Sequence, residues 1–212
     1  IIGLKINDYS YLSWLKIIFL TPFKFILNWS AYDILILEMG IDSPISPKNM
    51  SYLLSIVKPD IGVFLNVTPV HLENFSSLDQ IAEEKATLIN RVQTAIINKT
   101  DPLVKKYSKN INTISIKPIK IDIPNFILPN IYDISLGAAI AIAGVLNIDK
   151  STALDHLKTN FHLPPSRSSI LKGVNGSTII DSSYNSSPLS TTEMLTFLAS
   201  YPSPKIAVLG DM

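Results

Sequence analysis

The feature that most constrains this chain is an alternation. Short apolar runs rich in β-branched residues fall at 34–38, 60–66, 93–98, 111–116, 176–181 and 205–210. Between them lie stretches of helical periodicity at 47–57, 77–91, 133–146, 150–160 and 188–200. Strands separated by helices pair through crossovers rather than tight hairpins, so the pattern predicts an α/β fold: a mainly parallel sheet flanked by helices. A run without polar alternation, such as Ile34-Leu35-Ile36-Leu37, is expected to be buried on both faces. The Pro- and Ser-rich stretch "FHLPPSRSS", residues 161–169, interrupts the alternation and is the expected domain boundary.

Composition supports a packed core. Of 212 residues, 47% are hydrophobic and 17% charged, which argues against global disorder. The formal net charge of +1 gives no support to a nucleic-acid surface. The absence of cysteine excludes disulfides and thiolate metal sites, and is compatible with a reducing cytoplasm. The apolar segment 11–29 is interrupted by Lys16, Pro22 and Lys24, too soon for a spanning helix of about 20 residues. Two short helices broken at Thr21-Pro22 are expected there, packed on a core or lying on a membrane surface. The first residue is Ile1, and the chain stops just past an expected strand, so it reads as part of something longer.

Several expected strands end on polar groups: Glu38, Asn66, Asn98 and Asp181, with Gly210-Asp211 after the last. In open parallel sheets ligands bind beyond the carboxyl ends of the strands, so this set points to strand tips converging on a polar ligand. His71 follows one tip, and a histidine with a carboxylate such as Glu38 could share a divalent cation when phosphates supply other oxygens. Ser77 and Gln80 have capping-box spacing, which starts a helix near Leu78. On that helix Leu78, Ile81, Ala82, Leu88 and Ile89 form the apolar stripe, and Lys85 shares its face. An inward lysine either snorkels along the helix edge or loses basicity by burial. A lysine of lowered pKa can take up carbon dioxide, becoming an anionic carbamate. "IINKTDP" at 96–102 reads as a strand and turn, while the serines, Tyr184 and Asn185 of "GSTIIDSSYNSSPLS" could cap a helix or bind a ligand.

Taken in order, "LEMG", "VKPDIGVFLNVTPVHLENFSSLDQIAEEK", "NKTDP", Arg167, "IIDSSYNSSP" and "AVLGDM" resemble the Mur ligases, most nearly their D-alanyl-D-alanine-adding (MurF) type. The resemblance runs from about residue 34 to the end and is weaker at 103–132. It implies that 1–164 is a central, ATP-binding domain of P-loop type and that 165–212 begins a Rossmann-like C-terminal domain. It implies a cytoplasmic, monomeric, ATP- and Mg²⁺-dependent ligase joining D-alanyl-D-alanine to a UDP-N-acetylmuramoyl peptide through an acyl phosphate. By the same resemblance Glu38 and His71 hold magnesium, and Lys85 is the carbamylated lysine. Asn98, Asp101, Arg167 and Asp181 contact the nucleotide, and Asn66, Tyr184 and Asn185 the substrate.

Three departures qualify the match. The phosphate-binding glycine loop is absent, its expected place being upstream of Ile1, so these residues alone are expected to be inactive. Ser182 stands where the family has a second aspartate, and Ile131 and Ser135 stand where it has His and Asn. A related ligase adding another amino acid or extending folate, and a non-catalytic nucleotide-binding homologue, therefore stay open.

Overall fold

A computed structural model describes residues 10–27, 33–69, 72–122, 128–162, 164–184 and 187–210. The chain divides into two units, Ile1–Gly40 and Ile41–Met212.

In the first unit the described residues are one helix, α1 (Tyr11–Leu27), and an extended segment, 33–40. The expected break at Thr21-Pro22 is not there, because α1 runs through it. Pro22 has no main-chain N–H to give the Ile18 carbonyl one turn back, yet the helix continues past it, and the Thr21 hydroxyl adds a bond to the Ile17 carbonyl at 2.6 Å. Among the described residues of this unit α1 has no core to pack on. Trp14, Ile18, Phe19 and Phe23 are all exposed. No helix among the described residues is long and apolar enough to cross a membrane. The run 34–38 is likewise not a strand but exposed and unladdered, Glu38 included. Apolar β-branched residues favour extended backbone, yet a strand exists only where a neighbour completes its hydrogen bonds.

The second unit holds the sheet. β1 (Ile61–Phe64), β2 (Thr94–Ile97) and β3 (Thr113–Ser115) pair in that order, all parallel. α2 (Met50–Ile56) precedes them, α3 (Leu78–Ile89) joins β1 to β2, and α4 (Pro102–Tyr107) joins β2 to β3. α5 (Tyr132–Val145) and α6 (Lys150–Asn160) follow. The layering explains the apolar run of β2. Ala95 and Ile97 pack with Ala86 and Ile89 of α3 and Val104 of α4, whereas Ile96 packs with Ala138 of α5. Successive side chains point to opposite faces, and both faces of the central strand are covered by helices, so after Thr94 at its edge β2 is apolar throughout. The expected α/β architecture, a parallel sheet flanked by helices, is the one observed.

Beyond 164 the described elements are an antiparallel pair, β4 (Ser169–Lys172) with β5 (Thr178–Asp181), and α7 (Pro188–Ala199). The parallel strands of a Rossmann-like domain are not among them. Five residues link β4 to β5 through a short 3₁₀ turn, Val174–Gly176, which is too short for a parallel crossover. Residues 205–210 are exposed and form no strand, for the same lack of a neighbour as 34–38.

Candidate functional site

The parallel register brings the tips of β1 and β2 side by side. Phe64 is level with Ile97, and the Asn98 N–H donates to the Phe64 carbonyl at 3.0 Å. Just beyond these tips opens a cavity of about 590 Å³. Its walls come from both sides of the Pro/Ser-rich break: Asn66 and Asn98 from the strand tips, Tyr132 from α5, and Arg167, Tyr184 and Glu193 from the segment after 164. Ile131, Ser135 and Ser182, the positions that depart from the family pattern, also line it.

Asn98 is only 6% exposed. Its Oδ1 accepts the Thr100 N–H at 3.1 Å and the Thr100 hydroxyl at 2.6 Å, which fixes the amide orientation and leaves Nδ2 as the donor. Asp101 has a structural task. Its Oδ1 accepts the N–H groups of Leu103 and Val104, capping α4, and its Oδ2 accepts the Val67 N–H at 3.0 Å. That last bond ties down the residue after Asn66.

Around Arg167 the backbone is unusual. Ser166 and Ser168 have φ of 58° and 57°, in the left-handed region that side chains other than glycine seldom adopt. The turn is held from both sides. The Ser166 hydroxyl donates to Asp181 Oδ2 at 3.0 Å, and the buried Ser168 hydroxyl donates to Met194 Sδ at 3.2 Å. The Tyr132 hydroxyl donates to the Arg167 carbonyl at 3.2 Å, and the Arg167 guanidinium lies 4.5 Å from the centre of the Tyr184 ring. Asp181 ends β5 and also accepts the Ser183 hydroxyl and N–H. These bonds, the Ser183 hydroxyl foremost, hold its carboxyl below the usual range. Among the serines of this loop, Ser187 is a cap: its hydroxyl accepts the Ser190 N–H, and the Ser190 hydroxyl accepts the Ser187 N–H.

Lys85 is half-buried on α3. Burial lowers its ammonium pKa, and the Asp101 carboxylate opposes that shift. The direction is the one carbon dioxide capture needs, since only the neutral amine reacts. Glu38 belongs to the first unit, and His71 and Asn185 lie outside the described residues. The structure thus gathers Asn66, Asn98, Arg167 and Tyr184 around one cavity, with Asp181 bonded to its wall through Ser166. Among the described residues no three acidic or histidine side chains cluster as a metal site would need. Sequence reasoning missed Tyr132 and Glu193. No motif marks either, because each sits in an ordinary helical pattern and is brought to the cavity only by packing.

The donor set suits a nucleotide: a volume ordinary for small-molecule sites, aromatic and apolar walls, one guanidinium and a few directed polar groups. The family model described as Mur ligase middle domain matches residues 22–152, well over half of the chain. The chain belongs to the Mur ligase family. Among similar Mur ligases is the UDP-N-acetylmuramoyl-tripeptide--D-alanyl-D-alanine ligase of Buchnera aphidicola subsp. Baizongia pistaciae, 27% identical over 84% of this chain and 45% of the relative. The enzyme of the same name from Rickettsia prowazekii is 24% identical over 84% and 46%. A UDP-N-acetylmuramoylalanine--D-glutamate ligase from Bordetella avium matches a shorter stretch, 28% identical over 41% of this chain and 17% of the relative. In fold, the chain resembles the crystal structure of the Thermotoga maritima MurF ligase in complex with ADP, with a TM-score of 0.66 and 22% identity over 80% of this chain and 45% of that one. The chain spans under half the length of the Buchnera and Rickettsia relatives.

Proposed function

We propose that this chain is the nucleotide-binding part of an ATP-dependent ligase that joins D-alanyl-D-alanine to a UDP-N-acetylmuramoyl peptide. The observation that carries the reading is the cavity beyond β1 and β2, walled by residues from both sides of the break at 161–169. A nucleotide held there lies between a central domain, 1–164, and the start of a C-terminal one, 165–212. ATP supplies the phosphoryl group that activates the muramoyl carboxylate for attack by the incoming amine. The residues of this chain position it: Arg167 and Asn98 offer donors to the nucleotide, and Ser166 with Asp181 keeps the Arg167 turn in place. Asp101 supports the site indirectly by holding Val67 and capping α4. Glu38, His71 and a carbamylated Lys85 are the proposed magnesium ligands, and Asn66, Tyr184 and Asn185 the proposed substrate contacts.

The relatives named for D-alanyl-D-alanine addition match over most of this chain, which favours that amine. The D-glutamate-adding relative supports a second reading, in which the same chemistry serves a different amino acid. The test is turnover by the purified full-length protein with ATP and Mg²⁺. One reaction contains UDP-N-acetylmuramoyl tripeptide with D-alanyl-D-alanine, the other UDP-N-acetylmuramoylalanine with D-glutamate. ADP and phosphate released only in the first support the main reading. Release only in the second transfers the assignment to D-glutamate, and AMP with pyrophosphate contradicts acyl-phosphate chemistry. Nucleotide binding without turnover in either mixture marks a non-catalytic homologue.

A further inference from the structure

Among the described residues, two charged side chains line the cavity, Arg167 and Glu193. Arg167 is engaged with the Tyr184 ring. Glu193 is half-buried on α7, and its carboxylate makes no hydrogen bond or ion pair with any other described residue. Ordinary reasons for a helix-borne glutamate do not apply. It lies beyond the first turn of α7, where a carboxylate would serve the free N–H groups. Its neighbours three and four residues away are Leu189, Ser190, Thr196 and Phe197, none a cation, so no ion pair along the helix accounts for the charge.

An ionised carboxylate only accepts hydrogen bonds. Its charge also repels phosphate oxygens, and that repulsion is stronger in a partly desolvated cavity than in water. The Glu193 end must therefore receive an uncharged part of the ligand that carries donors. Asn98 completes the polarity, since its oxygen is taken by Thr100 and its NH₂ remains to donate.

We propose that Glu193 selects the ligand of this cavity by accepting hydrogen bonds from donors on a nucleoside, either the vicinal hydroxyls of ribose or the exocyclic amine of the base. This rests on the nucleotide reading above and adds to it a specificity-determining residue. The two sources share one chemistry and are separable by analogues. The experiment is calorimetric titration of the full-length protein, its E193A variant and its E193Q variant with ATP, 2′-deoxy-ATP, 3′-deoxy-ATP and inosine triphosphate. Wild-type protein should bind ATP about tenfold more tightly than the deoxy analogues, if the diol is read, or than inosine triphosphate, if the amine is read. E193A should close that gap by weakening ATP alone, with the helix intact because alanine is a strong helix former. E193Q keeps the shape and one acceptor oxygen and should retain part of the gap. The proposal fails if the wild type shows no gap with any analogue, or if E193A leaves the gap unchanged. A wild type that binds no nucleotide overturns the functional reading itself, and this proposal with it; that outcome is visible with the wild type alone.

Discussion

Replacing Asp101 separates two tasks that one carboxylate performs. Oδ1 caps α4 through Leu103 and Val104, and Oδ2 holds the Val67 N–H beside the cavity. Asp101→Ala loses both. The cap contributes about 1 kcal/mol, and the Val67 bond about 1 kcal/mol more. Asp101→Asn keeps an oxygen for the cap but turns an NH₂ toward the Val67 N–H, so it should cost only the second contribution, about 1 kcal/mol. In urea unfolding with a slope near 2 kcal/mol/M, the midpoint should fall by about 1 M for D101A and about 0.5 M for D101N, with the slope unchanged. Both variants remove the charge that supports the Lys85 ammonium, so both should lower the lysine pKa further, which a pH titration of Lys85 by NMR would register. A D101A midpoint within about 0.2 M of wild type would refute the assignment of Asp101 as cap and tie. Equal losses in the two variants would place the stability in its charge instead.

In the full-length protein, Lys85→Ala should lose most ligase activity and recover part of it with acetate or formate, whereas Lys85→Arg should stay inactive because guanidinium cannot take up carbon dioxide; normal turnover by K85R would reduce Lys85 to a snorkelling cation. Asp181 has a depressed folded-state pKa, so its stabilising contribution is complete above the unfolded value of about 3.9 and is lost as pH falls below it. The stability difference between wild type and D181N should accordingly be constant from pH 5 to 7 and shrink below about pH 4, as read by denaturant titrations at each pH. Gly137→Ala should destabilise by about 1–3 kcal/mol, measured as a lower melting temperature, because overpacking cannot be relieved cheaply. A Cβ at Gly137 would sit 2.1 Å from the Lys117 carbonyl oxygen, which is main chain and cannot swing away.

Most of the local elements are legible in the amino-acid sequence alone. The helix from Leu78 starts where Ser77 and Gln80 predict, with the Ser77 hydroxyl accepting the Gln80 N–H, although the Gln80 side chain bonds Ser76 instead of closing the box on Ser77. α6 spans the expected 150–160, held at its start by Asp149. β1 and β2 lie within the predicted runs 60–66 and 93–98, because strands covered on both faces leave no place for polar alternation. These are matters of periodicity and capping, decided by residues within a turn or two of one another. The same apolar signal at 34–38 and 205–210 yields no strand, since a ladder needs a second chain segment that local sequence does not specify. Nor could sequence foresee β4, which exists by pairing with β5, or an α1 that continues through Pro22. The cavity is half legible. Strand tips announce themselves by polar residues after apolar runs, so Asn66 and Asn98 can be named. Tyr132 and Glu193 cannot, because a tyrosine or glutamate on a helix has no signature until packing decides which way its face turns. Tertiary structure alone supplies the two polarities that meet in that cavity, an amide held by Thr100 to donate and a glutamate left to accept.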